Sequence, residues 1–409
     1  MRHLIRQTAI LTISNIITRG LSMLFFLLLA RSLAVSDYGN LRYLISLAFL
    51  FSIFFSGFPV SLTRLISQDK NNKKRINTYF SVGLTLAIIA LALEIIIILL
   101  FINQKLLLII LLFGYFIDSF YFGLIRGFLD YIKLYLYRLV SNLIEVVCVL
   151  LFMFLFEMNV VIAAIIFSLS WLISIGIFES YYVVLPVKYS IKSIKRRAVK
   201  EILKYAIPIT IGSLSYDILF NLSTILIQNY VDTINVAYYS VALTITQIFT
   251  FIPIASSTLI LPKIAGLKQK IDLRPYLKVA MLGIFISAAI LFIFLLFFGE
   301  WIVVFFFKEQ YLPSLNVLYI LSLAQIFMST FSLFSNAWYG IKKPFISMYI
   351  LLFAAIINIV LSLIFIPKIG IVGAAYSTLI STFIAFMLVS IPFFVYVKKR
   401  NTEYENPEK

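Results

Sequence analysis

Apolar residues fall into about twelve continuous segments, each near the roughly 20 residues that cross a bilayer as an α-helix. Polar and charged residues separate these segments, which run over 8–30, 38–62, 77–101, 105–126, 134–156, 160–185, 201–229, 235–262, 278–304, 312–339, 344–367 and 371–397. The apolar runs are continuous rather than alternating, so they predict helices and not the strands of a barrel. The pattern indicates an all-α integral membrane protein with about 12 transmembrane helices.

Basic residues are concentrated in every second loop. The two termini and the alternate loops carry 25 Lys and Arg, whereas the intervening loops carry four. Basic loops stay in the cytoplasm, so we expect a multi-pass protein of the cell (inner or plasma) membrane with both termini cytoplasmic. The net charge of +17 is then a topology signal, and we expect no nucleic-acid partner. The first apolar stretch is too long for a signal-peptide core, so we interpret it as the first membrane helix.

The chain shows weak internal similarity between its halves. Tyr38 aligns with Tyr238 at an offset of 200, and Ala163-Ala164 aligns with Ala374-Ala375 at an offset of 211. Each half has six segments and begins on the same side, which predicts two six-helix bundles related by a pseudo-two-fold axis along the membrane normal. We therefore expect an N-terminal lobe over 1–200 with a basic connecting loop, a C-terminal lobe over 201–397, and a cytoplasmic tail over 398–409.

Residues suited to catalysis are scarce. The chain has one cysteine, Cys148, and one histidine, His3, which leaves little scope for a thiolate or imidazole metal site. It has no P-loop, so ATP hydrolysis is not expected. We therefore expect no cofactor, no metal and no catalytic residue, and we do not expect an enzyme.

The first helix of each half carries a polar face. In the first segment Asn15, Arg19 and Ser22 recur at steps of four and three, and in the seventh Ser213, Asp217 and Asn221 recur at steps of four. The second segments continue the pattern with Arg42 and, in the other half, with Gln247. These faces avoid hydrocarbon either by bonding to neighbouring helices or by lining a hydrated cavity. For the cavity, we predict a polar lining of Asn15, Ser22, Ser213, Asn221 and Gln247.

Arginines lie in or near the membrane segments of the first half only. A guanidinium is always charged and binds phosphate oxygens in pairs, so fixed arginines suit a phosphate or pyrophosphate group. We predict that this head group binds four arginines, namely Arg19, Arg42, Arg64 and Arg126. For Arg42 and Arg64, snorkelling to the membrane interface is an equal alternative.

Carboxylates inside the segments are candidates for ion coupling. Asp217, Asp118 and Glu145 are candidates to bind H⁺ or Na⁺, because buried carboxyl groups shift into a titratable range. For Asp118, a structural ion pair with Arg138 is as good an interpretation as a transport role.

Four motifs resemble those of a known family. Ala30–Gly39 reads ARSLAVSDYG and resembles the ARxLGxxxYG signature of polysaccharide (O-antigen-type) flippases, within the multidrug/oligosaccharidyl-lipid/polysaccharide exporter superfamily. Three other segments are similar to family motifs, namely Tyr205–Pro208, Val236–Ala242 and, after Asn358, Ile366–Ala375. Ala34 and Ala237 stand where the family has glycines, and Ser223 stands where many relatives have an aspartate.

The resemblance implies two six-helix lobes that move an oligosaccharide on a polyprenyl or dolichyl phosphate or pyrophosphate by alternating access. Arg19 stands where related lipid II flippases place an arginine for the pyrophosphate. The partners implied are this lipid-linked oligosaccharide and membrane lipids, with H⁺ or Na⁺ as candidate coupling ions and glycan polymerases or glycosyltransferases as candidate protein partners. The alternative within the superfamily is an ion-coupled multidrug or small-molecule antiporter. A membrane scaffold or a glycan polymerase is the third hypothesis, and a polymerase should have a large outer loop, which this chain lacks.

Overall fold

The computed structural model describes residues 2–69, 72–128, 131–181, 187–251, 274–340 and 343–405. Within these ranges the chain is helical almost throughout and forms no β-strand. Nine described helices are long and apolar enough to cross a membrane, and the bent pair Val35–Phe51 and Ile53–Gln68 makes a tenth span. The predicted all-α membrane fold is therefore confirmed.

Of the remaining two predicted spans, one is visible and the other is described in part. The helix Pro344–Glu405 contains a break at Ile369 and Gly370, and Gly370 has a positive φ of 60° that favours glycine. This break divides it into two membrane-length segments. The helix that begins at Thr233 is described only as far as Phe251, and the rest of that predicted span lies outside the described residues.

The chain divides into two compact units. The first unit covers Ala9–Asp217, and the second covers Ile218–Lys409 together with Met1–Thr8. The first unit holds the six predicted spans of the first half and the beginning of the seventh. Its helices are α1 (Arg2–Ser32, from Ala9 onward), α2 (Val35–Phe51), α3 (Ile53–Gln68), α4 (Lys73–Phe101), α5 (Lys105–Gly127), α6 (Tyr131–Leu155), α7 (Val160–Tyr181) and α8 (Arg196–Asp217).

Helix α3 packs at the centre of the first unit, between α4, α5 and α8. Glycines allow the close approach. A Cβ atom on Gly57 would collide with the backbone of Ala206 in α8, and one on Gly123 of α5 would lie 2.7 Å from the carbonyl oxygen of Pro59. Thr63 adds a hydrogen bond, because its hydroxyl donates to the Gly123 carbonyl at 2.8 Å. Such contacts bring the backbones together where no hydrophobic force between helices operates.

Helices α2 and α3 form one broken span, bent by 60° at Ser52. The hydroxyl of Ser52 donates to the Phe49 carbonyl at 2.7 Å, and that of Ser56 donates to the Ile53 carbonyl at 3.2 Å. Serine hydroxyls that bond back to the preceding turn compete with helical hydrogen bonds and bend helices. These hydroxyls therefore contribute to the bend, together with the packing of α3 against α4, α5 and α8.

The second unit continues the seventh span through a π-helical turn, and its described residues form five α-helices. The turn is Ile218–Leu222, and the helices are α9 (Ser223–Tyr230), α10 (Thr233–Thr246), α11 (Arg274–Ile302), α12 (Leu315–Gly340) and α13 (Pro344–Glu405). Helices α12 and α13 pack through aromatic side chains. The Trp338 ring lies 5.0 Å from that of Phe393, and its indole N–H donates to the Val389 carbonyl at 3.2 Å.

Large apolar side chains cover the outside of both units. Phe154 is 86% exposed, Phe297 is 80% exposed and Leu100 is 70% exposed. Apolar surface of this extent marks contact with lipid rather than with water. The chain is therefore a multi-pass membrane protein.

Candidate functional site

A buried ion pair joins α5 and α6 in the first unit. Asp118 is fully buried, and its Oδ2 lies 3.0 Å from a terminal guanidinium nitrogen of Arg138. The Tyr137 hydroxyl donates to Asp118 Oδ1 at 2.7 Å, and the Arg138 guanidinium also lies 4.3 Å from the ring centroid of Phe122. The ion pair that the sequence left open for Asp118 is therefore present, which leaves this carboxylate less available to a transported ion.

Glu145 lies two turns further along α6 and is 2% exposed. Its Oε1 accepts a hydrogen bond from the Ser170 hydroxyl at 3.3 Å, and the Trp171 indole lies beside it. Asp118 and Arg138 are its charged neighbours. Three ionisable groups therefore share one buried cluster with two acids and one base, and Glu145 is the acid without a direct ion pair among the described residues.

Tyr115 of α5 connects this cluster to the break between α2 and α3. Its phenol lies beside the Ser52 hydroxyl and interacts electrostatically with Asp118, Arg138 and Asp217. Its ring lies 5.0 Å from the ring of Phe49, edge to face. Tyr115 could not be identified from the sequence, because an aromatic residue in an apolar helix does not indicate contact with a charged group.

The polar face of α1 is partly open. Asn15 and Arg19 are exposed, and Ser22 is half-buried. Tyr216 of α8 is an electrostatic neighbour of Arg19. One turn of this face is bound to α6, because the Asn142 side-chain amide donates to the Thr18 carbonyl at 2.6 Å. Helix α1 therefore bonds to a neighbouring helix beside this face while Asn15 and Arg19 are exposed, and the hydrated cavity at this face stays a prediction.

Two of the predicted phosphate-binding arginines stack on aromatic rings. The Arg42 guanidinium lies 4.4 Å from the ring centroid of Phe26, and that of Arg64 lies 4.1 Å from the ring centroid of Tyr205. Arg42 is 9% exposed, so it does not snorkel to an interface, whereas Arg64 is exposed. Neither forms an ion pair with another described residue. Stacking uses the face of a guanidinium and leaves its N–H edge able to bind an oxyanion.

The four arginines do not meet at one point. Arg64 and Arg126 lie at the same end of the first unit, because α3 and α5 pack where Gly127 of α5 faces Ile66 of α3. Arg42 is 22 residues from Arg64 along the broken span, or about 30 Å by helical rise. A single phosphate therefore cannot contact all four at once, and their shared role stays a prediction.

The remaining candidates lie on both sides of the boundary between the units. Ser213 and Asp217 lie on α8 of the first unit, and both are half-buried. In the second unit, Asn221 lies in the π-helical turn and is half-buried, and Gln247 follows α10 and is exposed. A π-helical turn in a membrane helix marks functional positions in many proteins, and the sequence pattern did not predict it.

Metal ligands do not cluster in the parts of the chain that the structure describes. No group of three or more His, Cys, Asp or Glu is placed to hold a metal ion there. The chemistry of the site therefore rests on arginines, on the buried acids and on neutral polar groups.

The structure is that of a multi-span helical membrane protein with buried charged side chains in its first unit. The chain belongs to the polysaccharide biosynthesis protein family, whose model matches residues 4–268. The MatE family model matches residues 208–364. Both matches agree with the multidrug/oligosaccharidyl-lipid/polysaccharide exporter superfamily, so the resemblance given by the sequence motifs is confirmed.

A known protein of similar sequence is also a membrane protein, and solved structures share the helical fold. An uncharacterized membrane protein of Methanocaldococcus jannaschii is 27% identical over 94% of this chain and 96% of its own length. The inward-facing structure of a multidrug resistance MATE family transporter has a TM-score of 0.76 and 17% identity, over 94% of this chain and 95% of its own.

The lipid II flippase MurJ, in an inward closed conformation, also has a TM-score of 0.76. It is 20% identical over 94% of this chain and 87% of its own. Identities this low show a shared fold and not a shared substrate. The fold class of two helical bundles agrees with both structures.

Proposed function

We propose that the protein moves an oligosaccharide linked to a polyprenyl or dolichyl phosphate or pyrophosphate from the cytoplasmic to the outer leaflet of the cell membrane by alternating access. The observation that carries the proposal is the placement of arginines in the first unit. Arg42 and Arg64 stack on rings and keep their N–H edges, and Arg19 is exposed in the middle of α1. Fixed guanidinium groups in a membrane protein attract anionic oxygens.

A lipid-linked phosphate suits arginines placed at several levels. The charged head group travels from one side of the membrane to the other, so it needs counter-charges along its path rather than at one point. Arg64 and Arg126 share one end of the unit, which the loop charges predict to be cytoplasmic. Arg19 lies further along, on the accessible face of α1. We propose that the head group passes from the first pair to Arg19.

The experiment compares Arg19→Ala with Arg31→Ala in reconstituted vesicles. Arg31 is an exposed arginine in the last turn of the same helix, so its variant removes the same charge elsewhere. The substrate is a fluorescent polyprenyl-pyrophosphate oligosaccharide, and its arrival in the opposite leaflet is measured by binding of an external lectin.

We expect Arg19→Ala to slow the initial rate by about tenfold or more, which corresponds to about 1.4 kcal/mol. Arg31→Ala should keep the parental rate. A parental rate in Arg19→Ala, with equal protein in the vesicles, would contradict the proposal.

An ion-coupled multidrug or small-molecule antiporter is the second candidate function, and Glu145 favours it. This acid is buried in the first unit beside the Asp118–Arg138 pair, where binding of H⁺ or Na⁺ would compensate its charge. We propose Glu145 as the leading coupling residue, with Asp217 next, because Asp118 is occupied by Arg138.

The two candidates differ in their response to two variants. An antiporter of cationic drugs should lose gradient-driven drug uptake in Glu145→Gln and keep it in Arg19→Ala. A flippase of anionic lipid-linked sugar should show the opposite order of losses. The comparison needs only the two variants, one drug and one lipid-linked sugar.

A further inference from the structure

A third buried acid of the first unit, besides Asp118 and Glu145, has no part in the proposed function. Glu94 of α4 is fully buried, and neither carboxyl oxygen makes a well-formed hydrogen bond in the structure. The backbone N–H of Phe54 lies close to the carboxyl group but does not complete such a bond. An ionisable group inside a membrane segment is expensive to keep and marks a functional position.

Glu94 faces the break in the span formed by α2 and α3. Phe54 belongs to the first turn of α3, directly after the bend of 60° at Ser52. The first amides of a helix lack partners within the helix, and the helix dipole favours a negative charge at that end. A carboxylate at this position therefore interacts with the same backbone groups that the bend exposes.

No other charge stabilises Glu94. The elements packed against α4 are α3, α5, α8 and the short turn Ile191–Ser193. Their titratable and charged residues are Arg64 on α3, then Lys105, Tyr115, Asp118, Tyr121 and Arg126 on α5, then Arg196, Arg197, Lys200, Glu201, Lys204, Tyr205, Tyr216 and Asp217 on α8, and Lys192 in the turn. Within the described residues, none of them interacts electrostatically with Glu94.

A single incomplete contact from a backbone amide does not stabilise an ionised carboxylate away from water. The arrangement shown by the structure therefore suits the protonated acid. Loss of the proton requires more donors, and the nearest one is the backbone amide of Phe54 at the start of α3. The amides of Phe55 and Ser56 already donate to the Ser52 carbonyl oxygen at 3.2 and 2.9 Å, so a change at the bend is needed to release them.

Space for such a movement lies beside the bend. A cavity of about 410 Å³ is lined by Leu50 and Phe51 of α2, by Ile53 and Phe54 of α3, and by Thr210 and Leu214 of α8. Below the bend, α3 is fixed, because Gly57 contacts α8, Gly83 of α4 contacts Leu62, and Gly123 of α5 contacts Pro59. Helix α2 packs against α5, α7 and α8 less extensively than α3 packs against its neighbours, so a change in the bend moves α2 more than α3.

We propose that Glu94 is a proton-binding site and that release of its proton changes the angle between α2 and α3. The proposal concerns the first unit alone and does not depend on the substrate. It uses a different acid from Glu145, which has its own hydrogen-bond donor and charged neighbours.

Two measurements test the proposal on the purified full-length protein in phosphatidylcholine nanodiscs without substrate. Infrared difference spectra between acidic and alkaline buffer detect the protonated carboxyl band. Spin labels on Ser36→Cys and Asn103→Cys, in a Cys148→Ala background, report the spacing between the far ends of α2 and α4. Helix α2 is about 25 Å long, so a change in bend of about 10° moves its end by about 4 Å.

We expect the parent protein to lose the carboxyl band and to change the label spacing in alkaline buffer. Glu94→Gln should lower the amplitude of the band relative to the parent, because one buried carboxyl group is lost, and should abolish the spacing change. Glu94→Asp should shift the Glu94 part of the band and keep the spacing change. Glu157→Gln is the matched control, because Glu157 is an exposed acid just beyond the end of α6. It should behave as the parent.

Two results would overturn the proposal. If the pH-dependent band of Glu94→Gln has the same amplitude and position as that of the parent, Glu94 is not the proton-binding site. If the amplitude falls but the spacing still responds to pH, the bend is not controlled by Glu94. Neither result bears on lipid translocation, which the Arg19→Ala experiment tests separately.

Discussion

The two units bury polar side chains of different kinds. Among its described residues, the first unit buries one arginine and three acids, namely Arg42, Glu94, Asp118 and Glu145. Among the described residues of the second unit, the buried polar side chains are neutral: serine, threonine, asparagine and glutamine. Many of those hydroxyls bond to a carbonyl one turn earlier in their own helix, such as Ser322 to Leu318 at 2.7 Å and Thr330 to Ile326 at 3.0 Å.

The two kinds of buried polar side chain differ in what they need from their surroundings. A hydroxyl that bonds within its own helix satisfies itself and allows close packing in lipid. A buried charge requires a partner or a ligand, and its cost is justified where it contacts an ion or a head group. Among the described residues, the buried charged side chains therefore lie in the first unit, and the buried polar side chains of the second unit are neutral.

The largest expected effect comes from breaking the buried ion pair of the first unit. Asp118→Asn leaves Arg138 beside a neutral amide in a largely buried position. Removal of one partner of a buried pair costs about 3–5 kcal/mol, and we expect the lower end, because the Arg138 side chain is 31% exposed. The measurement is the unfolding of the detergent-solubilised protein during SDS titration, followed by circular dichroism.

The chain supplies a matched control for this prediction. Asp69 and Arg75 form an ion pair at 2.9 Å, with side chains 21% and 51% exposed. Asp69→Asn should leave the unfolding midpoint unchanged, because exposed pairs contribute little. Adding Arg138→Gln to Asp118→Asn should recover part of the lost stability. Equal losses from Asp69→Asn and Asp118→Asn would remove the contrast between buried and exposed charge.

Much of this architecture could be predicted from the sequence. The length of the apolar runs gave the spans, because a bilayer requires helices of about 20 residues. The helix α5 matches its predicted segment to within one residue, since charged or polar residues bound it on both sides. The pairing of Asp118 with Arg138 was one of two alternatives, because both lie inside spans and carry opposite charge.

Other features could not be predicted, because they depend on three-dimensional packing. The break at Ser52 lies within one apolar run, and hydropathy does not distinguish a bent helix from a straight one. The roles of Tyr115 and Tyr137 as neighbours of the ion pair follow from which helix faces meet. Glu94 was visible as an intramembrane acid, but its position beside Phe54 required the fold.

Close packing offers a test in which the two units should behave alike. A Cβ atom on Gly123 would lie 2.7 Å from the Pro59 carbonyl oxygen in the first unit. One on Gly373 would lie 2.5 Å from the Phe365 carbonyl oxygen in the second. Each glycine-to-alanine change should cost about 1–3 kcal/mol, because backbone must move to admit the methyl group. The SDS titration again supplies the measurement.

Two other glycines are the controls for this pair. Gly176 in the first unit and Gly283 in the second have open space where a Cβ atom would be added. Their alanine variants should match the parent or gain up to about 1 kcal/mol, because alanine favours helix more than glycine does. Losses at all four positions would indicate that the titration reports helix content rather than packing.

The smallest expected effects come from the removal of hydroxyl groups. A comparison of two such variants tests the contrast between the buried polar side chains of the two units. Thr330→Val in the second unit removes a bond to its own helix and should cost about 0.6 kcal/mol. Ser170→Ala in the first unit removes a hydroxyl that lies 3.3 Å from Glu145 Oε1 and 3.0 Å from the Phe167 carbonyl oxygen. This variant should cost about 1.5 kcal/mol or more, because the buried carboxyl group of Glu145 loses a hydrogen-bond donor. Equal costs for the two variants would mean that Glu145 gains nothing from Ser170, and the acid would then need another donor in the first unit.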